Sequence, residues 1–379
     1  MLQVVHVSPT YFAPESILGG GERFAEELAR SMSSQARVRF VSFGPRSARS
    51  GEGGSFERHI LRNWTARKLI PFSPSLPALL RDADVIHCHQ VNYLSTFLSA
   101  WLGARRGAKV FVSDLGGGGW TPAYHVDQSR WITGYLFISE YARTKLPTEG
   151  PARVIYAGVD TERWSMRDQP THDGSVVFLG RILSHKGIHH LVEGLPDDVI
   201  LTVIGSEADP QYLDELRALA RGKTVHFRSG LDDEAVRRHL HAAMALVHPT
   251  PVDARGDAGV AELFGLAVAE AMACGCPVVA SNAASLPEVV GSGAAGILVP
   301  PNSPEAIRAA IRTLADDRQV WAARSRAARA RVEELFTWPK VVRRCLEAYA
   351  ELGAEHAINR SRGSRTTGAA GTSAGGSQP

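Results

Sequence analysis

What most constrains this chain is the regular alternation of short, β-branched apolar runs with amphipathic stretches. QVVHVSP, RVRFVSFG, DVIHCH, KVFVSDLG and GYLFIS fill the first half; SVVFLG, VILTVIG, TVHFRSG, MALVHPT, CPVVAS and GILVP fill the second. Helical segments such as PQYLDELRALARG and DDEAVRRHLHAA lie between them. Strands joined by helices build parallel sheets covered on both faces, and nearly continuous hydrophobicity within each strand fits burial on both sides. The chain is therefore α/β, and its 379 residues exceed what one core usually holds, so two doubly wound domains are expected. The polar stretch VIYAGVDTERWSMRDQPTHDGS marks the boundary, giving domains at 1–160 and 161–337. The last residues, 360–379, are rich in Gly, Ser, Thr and Ala and lack large apolar side chains, so they are expected to be disordered.

Composition narrows the partners. A hydrophobic share of 44% and a charged share of 21% describe a soluble globular protein, and a net charge of +3 gives no field that would call for nucleic acid. Cys88, Cys274, Cys276 and Cys345 lack metal-site spacing and sit in apolar segments, which fits a reduced, cytoplasmic setting. MLQVVHVSP has no cationic leader, and no run reaches the roughly 18 apolar residues that span a bilayer. Any membrane contact is then peripheral, on the inner face. RNWTARKLIPF, which mixes cations with Trp64, Leu69, Ile70 and Phe72, offers one such contact, although a loop helix packing its apolar side is the preferred reading.

Three strand ends carry residues suited to an anionic ligand that also bears hydroxyls. After the first strand, Gly19, Gly20 and Gly21 precede a helix starting near Glu22, where backbone can approach a ligand and helix N–H groups face an anion. A flexible loop is the plainer alternative there. In FLGRILSHKGIHHLVEGL, Arg181 follows Gly180 and Lys186 opens the next helix. Arginine grips phosphate with two parallel hydrogen bonds and lysine adds a mobile charge, so the pair suits a diphosphate without metal; two solvated cations are the alternative. In GVAELFGLAVAEAMACGCPVVAS, Glu262 precedes a helix, Gly265 falls in its first turn and Glu270 follows. A helical rise of about 1.5 Å per residue sets the acids about 12 Å apart, which makes them two hydroxyl grips on one long ligand. The N–H groups of Phe264, Gly265 and Leu266 lie between them at the positive end of the helix. Hydroxyl grip, anion site, hydroxyl grip describes a nucleotide sugar.

These residues carry a family resemblance. ELFGLAVAEAMACGCPVVAS resembles the E-x7-E motif of retaining GT-B glycosyltransferases and is similar to glycosyltransferase family 4 over its whole length. VVFLGRILSHKG, VIYAGVD, SLPEVV, GILVPPNSPEAI and FTWPKVVRRCLEAYAEL are similar to that family's signatures in the same order, so the resemblance covers about residues 1–352. It implies a GT-B fold: two doubly wound Rossmann-like domains facing a central cleft, the first for acceptor and the second for donor, with the helix at 338–352 packed back on the first. It also implies retaining, front-face transfer of a sugar from a nucleotide-diphosphate sugar to a hydroxyl of a glycan, lipid-linked or small-molecule acceptor. Neither metal nor other cofactor takes part, and the setting is bacterial glycan or glycoconjugate synthesis.

Residue by residue, the resemblance implies that Arg181 and Lys186 hold the diphosphate and stabilise it as it departs. Glu262 then lies near the donor sugar, Glu270 grips the ribose, Gly20 and Gly21 approach the phosphates, and the stretch from Phe227 to Leu231 lines the base. One departure stands out. Many members end the strand matching VFVSDLGGGG in histidine, whereas this chain has Asp114 and then Leu115. Asp114 is open to two readings, one at the reacting centre and one as a cap of the following turn. An epimerase of the same fold, with acid and base on both sides of the ring, and a non-catalytic nucleotide-sugar-binding module are the rival functions.

Other signals point to structure. GSGAAG at 291–296 precedes a strand instead of following one, the wrong order for a dinucleotide site. The acids of DAD, 82–84, fall at the wrong sheet edge for metal binding. His87 and His89 share a strand face but lack a third ligand at convincing spacing, although His89 is placed where it could reach the cleft. AARSRAARARVEEL reads as an exposed arginine face over buried alanines.

Overall fold

A computed structural model describes residues 1–12, 20–51, 53–65, 70–116, 126–145, 148, 150–259, 262–291 and 293–368. In chain order the elements begin β1 (Gln3–Tyr11), α1 (Gly20–Met32), β2 (Arg37–Gly44), β3 (Ala48–Ser50), β4 (Phe56–Arg62), α2 (Leu76–Leu79), β5 (Val85–His89) and α3 (Leu94–Arg106). Next come β6 (Lys109–Ser113), β7 (Gly134–Phe137), α4 (Glu140–Lys145), β8 (Ala152–Val154), β9 (Val176–Leu179), α5 (Ile188–Gly194), β10 (Leu201–Ile204) and α6 (Pro210–Leu219). The remainder are β11 (Val225–Arg228), α7 (Asp233–Ala242), β12 (Ala245–His248), α8 (Leu266–Ala273), β13 (Val278–Ser281), α9 (Leu286–Val290), β14 (Gly296–Val299), α10 (Pro304–Asp316), α11 (Arg318–Leu335) and α12 (Trp338–Gly368).

Two compact units emerge. One comprises residues 1–137, 148–153 and the chain from Val342 onward; the other comprises 138–147 and 154–341. The division thus falls earlier than position 160. Hydrogen bonds explain it: Ser139 donates to the carbonyl of Leu263, and the Glu140 N–H donates to the Glu288 carboxylate, which tie this segment to the second unit.

The first unit holds an eight-stranded sheet in the order β3-β4-β2-β1-β5-β6-β7-β8, with β3 antiparallel to β4. Apart from the edge strand β3, the chain winds outward from β1 through β2 to β4, then from β5 through β7. Helix α1 buries Phe24, Ala25, Leu28, Ala29 and Met32 at helical spacing, which makes one continuous apolar stripe. Helix α12 adds buried Cys345, Tyr349 and Leu352, and a Cβ at Gly134 would meet the Leu352 side chain at 2.6 Å. The helix runs on to Gly368, past 352; residues 369–379 lie outside the described residues. β4 is absent from the sequence reading because Glu57, Arg58 and His59 follow one another in FERHILR and interrupt its apolar residues. Asp82 takes Arg39 at 2.9 Å and Asp84 accepts the Gln3 N–H at 2.8 Å, so both are structural acids.

The second unit is a six-stranded parallel sheet in the order β11-β10-β9-β12-β13-β14. Val176, Phe178, Leu201, Val203, Val247 and Val279 pack there against Ile188, Leu191, Ile307 and Ile311. Helix α11 departs from the expected exposed arginine face. Arg324 donates to the carbonyls of Gly293 and Gly296, Arg329 to Ala273 and Trp164, and Arg331 to Glu288 and Val289. A guanidinium has five donors and no acceptor, so these three charges satisfy carbonyls left over at helix and loop ends.

Candidate functional site

In the second unit the chain starts at β9, winds outward to β11, then restarts on the other side of β9 at β12. Open α/β sheets take ligands beyond the carboxyl ends of the strands at such a reversal. β9 ends at Leu179, Gly180 turns the chain, and Arg181 is exposed, while buried Ile182 anchors the loop by donating to the Ser206 carbonyl at 3.0 Å. A tight turn, Ser184–Lys186, leads to Gly187 at φ 70°, where a Cβ would stand 2.0 Å from the Pro249 carbonyl oxygen. Only glycine lets the start of α5 close on the chain leaving β12.

That approach brings Lys186 and His248 to one acid. Lys186 Nζ lies 2.7 Å from Glu262 Oε2, and His248 Nε2 lies 3.2 Å from the same oxygen. Burial pushes the Glu262 carboxyl upward, but the Lys186 charge and the His248 hydrogen bond outweigh it and hold the group well below the usual carboxylate range. Glu262 is therefore ionised in a largely buried place. The His185 imidazole is pushed down by burial and then by the neighbouring charges of Lys186 and Arg181, a sign of positive potential at this strand end. His189 and His190 beside it are half-buried, with His189 Nδ1 at 2.9 Å from the Tyr212 hydroxyl.

Helix α8 completes the site. Gly265 is its N-cap, in the left-handed region at φ 91°, so the helix begins at Leu266 and not ahead of Gly265 as the spacing suggests. Helical rise therefore does not apply between Glu262 and Gly265, and the 12 Å separation expected from it lapses. The first-turn N–H groups, from Leu266 on, have no partner within the helix. Phe264 is buried against Phe336, with ring centroids 5.3 Å apart, and so offers the site only its backbone. The Glu262 carbonyl accepts from Ser285 Oγ at 3.0 Å, which fixes the segment ahead of the helix. Glu270 is half-buried one turn into α8, and Leu231 is half-buried beyond the edge strand β11. His248 is a residue that motif reading misses; its only sequence signal is a histidine closing the run MALVHPT.

The remaining expected residues belong to the first unit. Gly20 and Gly21 are the first two residues of α1, so the helix starts earlier than Glu22. The Asp114 carboxylate accepts the Gly116 N–H at 2.9 Å and is also hydrogen-bonded by the backbone at Val91 and Leu115. Burial raises its pKa above the ordinary value while those N–H groups oppose the shift. It joins the chain ends leaving β5 and β6, which is the capping reading. His89, expected to reach the cleft, is instead fully buried, edge-on to Phe24 of α1 with ring centroids 6.1 Å apart.

His89 and His87 gain a third imidazole, His6, which the register of β1 against β5 places opposite His87. Candidate ligand atoms of the three lie within 4.8 Å of one another. His87 spends both ring nitrogens, on the Tyr349 hydroxyl at 2.7 Å and Ser113 Oγ at 2.8 Å, and His6 Nδ1 meets His89 Nε2 at 3.0 Å. Interplanar angles of 19° and 22° stack the His89 ring on the other two. A metal needs free lone pairs converging at about 2.0–2.1 Å, whereas both His87 nitrogens and the facing nitrogens of His6 and His89 are engaged in hydrogen bonds. The cluster reads as a buried imidazole stack, and burial lowers the pKa of all three, that of His89 to about 3.

Comparison with known proteins agrees with this architecture. The family described as Glycosyl transferases group 1 matches residues 163–331, and the family described as Glycosyltransferase Family 4 matches residues 18–163. An alpha-maltose-1-phosphate synthase of Mycobacterium tuberculosis is 30% identical over 273 residues, covering 62% of this chain and 68% of that protein. A glycogen synthase of the same organism is 31% identical over 205 residues, covering 52% of this chain; the match spans only 47%, about half, of that protein's length. The solved structure of Anabaena HepE in complex with UDP superposes with a TM-score of 0.72 at 18% identity, covering 92% of this chain and all (100%) of that one. Taken with the two parallel-sheet units, these matches show that the chain belongs to glycosyltransferase family 4 and has the GT-B fold.

Proposed function

We propose that this chain is a retaining glycosyltransferase that moves a sugar from a nucleotide-diphosphate sugar to a hydroxyl acceptor in glycan or glycoconjugate synthesis. The observation that carries this is the charge arrangement at the β9/β12 reversal. Arg181, Lys186 and the first-turn amides of α8 supply fixed positive potential for a departing diphosphate, and ionised Glu262 accepts a hydroxyl of the sugar. Glu270 takes the ribose and the stretch ending at Leu231 takes the base. The charge lost from the glycosidic bond goes to the diphosphate, whose oxygen takes the acceptor proton on the same face. Two cations and the helix amides provide the neutralisation that a divalent ion supplies elsewhere, so this reading calls for no metal. Asp114 has no chemical role in it.

The relatives support this class of chemistry, being named glycogen synthase and alpha-maltose-1-phosphate synthase, and the Anabaena structure holds UDP. No helix among the described residues is long and apolar enough to cross a membrane. A peripheral membrane contact is a finer proposal that rests on Trp64, 68% exposed with Arg62 above its ring.

Thermal unfolding with UDP-glucose, GDP-mannose and ADP-glucose tests the donor reading. A true donor at about a hundred times its Kd adds about 2.7 kcal/mol of stability. Stabilisation by one of the three is expected, and stabilisation by none would count against the proposal. Turnover that needs no acceptor would mark an epimerase instead.

A further inference from the structure

His248 and Thr250 belong to none of the sequence signatures, yet they form a buried chain onto the acid of the site. His248 closes β12 and is 2% exposed, and Thr250 is fully buried. His248 Nδ1 lies 3.0 Å from Thr250 Oγ1, and its Nε2 lies 3.2 Å from Glu262 Oε2. An ionised carboxylate can only accept, so the Nε2 proton sits on His248. Lys186 holds that same Oε2 at 2.7 Å, while Oε1 takes part in neither contact.

We propose that His248 is a positioning residue: seated by Thr250, it pins Glu262 through Oε2 and so presents Oε1 to a hydroxyl of the donor sugar. The inference rests on the donor reading above and adds a residue to the same site. A glutamate has three side-chain torsions, and holding one oxygen at two points removes most of that freedom before the sugar arrives. The effect therefore falls on the sugar and not on the nucleotide.

Calorimetric titration of the full chain tests this, using whichever of UDP-glucose, GDP-mannose or ADP-glucose binds wild type most tightly, and its parent nucleoside diphosphate. His248→Leu is expected to weaken the nucleotide sugar by about tenfold or more, and the diphosphate by less than about threefold, because one hydrogen bond to a charged group is lost. His248→Gln, which keeps an N–H donor, should recover most of that loss. In a Glu262→Ala background, His248→Leu should add less than about twofold, since a residue acting through another loses its effect with it. If His248→Leu fails to fold, Thr250→Val provides the same sugar-selective readout in an isosteric side chain. Unchanged sugar binding, equal losses for sugar and diphosphate, or additive losses in the Glu262→Ala background would each overturn the inference alone. Failure of wild type to bind any of the three would remove the donor reading and this inference with it.

Discussion

Lys186 is 9% exposed, a depth that lysine seldom reaches without a partner, and Glu262 at 2.7 Å is the partner that makes it tolerable. Lys186→Ala should therefore have two consequences. Turnover should fall by about tenfold or more, the effect of removing one donor to a developing anion. Stability should fall by about 3 kcal/mol, because a buried acid loses its cation; urea unfolding measures it, and an unchanged midpoint would show that the pair is not structurally coupled. Gly187→Ala should be harsher on the fold, since φ 70° and a contact at 2.0 Å cannot both be relieved, and a cost of about 3 kcal/mol or more is expected. Arg181, Lys186 and Glu262 are legible in the sequence because each sits at a fixed offset within a local run. His248 is not, because sheet geometry and the Gly187 contact bring it to Glu262. Asp114 is half-legible: its position is evident, but only the structure shows its oxygens meeting backbone N–H groups.

At the level of elements, strands buried on both faces announce themselves by nearly continuous apolar runs, so β9, β10, β12 and β13 follow from the local sequence pattern. β4 escapes because its consecutive Glu57, Arg58 and His59 break the apolar run. The arginines of α11 mislead for the opposite reason: a helical wheel shows which face they occupy but not that carbonyls lie within their reach. β1 and β5 carry the imidazole stack, and its chemistry makes stability depend on pH. His6, His87 and His89 have folded pKa values below the ordinary 6.5, so the unfolded chain binds more protons between those values. The stabilisation is present at pH 7 and is lost as pH falls through about 6.5, by up to about 1.4 kcal/mol per pH unit for each histidine. Urea unfolding at neutral and mildly acidic pH should show this loss, and His89→Leu should reduce its slope; an identical slope would mean the stack does not govern it.

Across the whole chain, two units repeat one winding plan, each starting in the middle of its sheet and reversing beside its first strand. The second unit leaves the carboxyl ends at that reversal to Arg181, the Lys186–Glu262 pair and the amides of α8. The first unit carries the buried imidazoles on its corresponding strands, β1 and β5. On the proposed function, positive charge at the second reversal holds a diphosphate. Arg181 is exposed, so removing its side chain should change stability by no more than about 0.5 kcal/mol. The most direct measurement is the thermal shift of Arg181→Ala with the donor that stabilises wild type. An unchanged melting temperature without ligand and loss of most of the stabilisation by the nucleotide sugar are expected; a variant stabilised as strongly as wild type would mean that Arg181 does not hold the diphosphate.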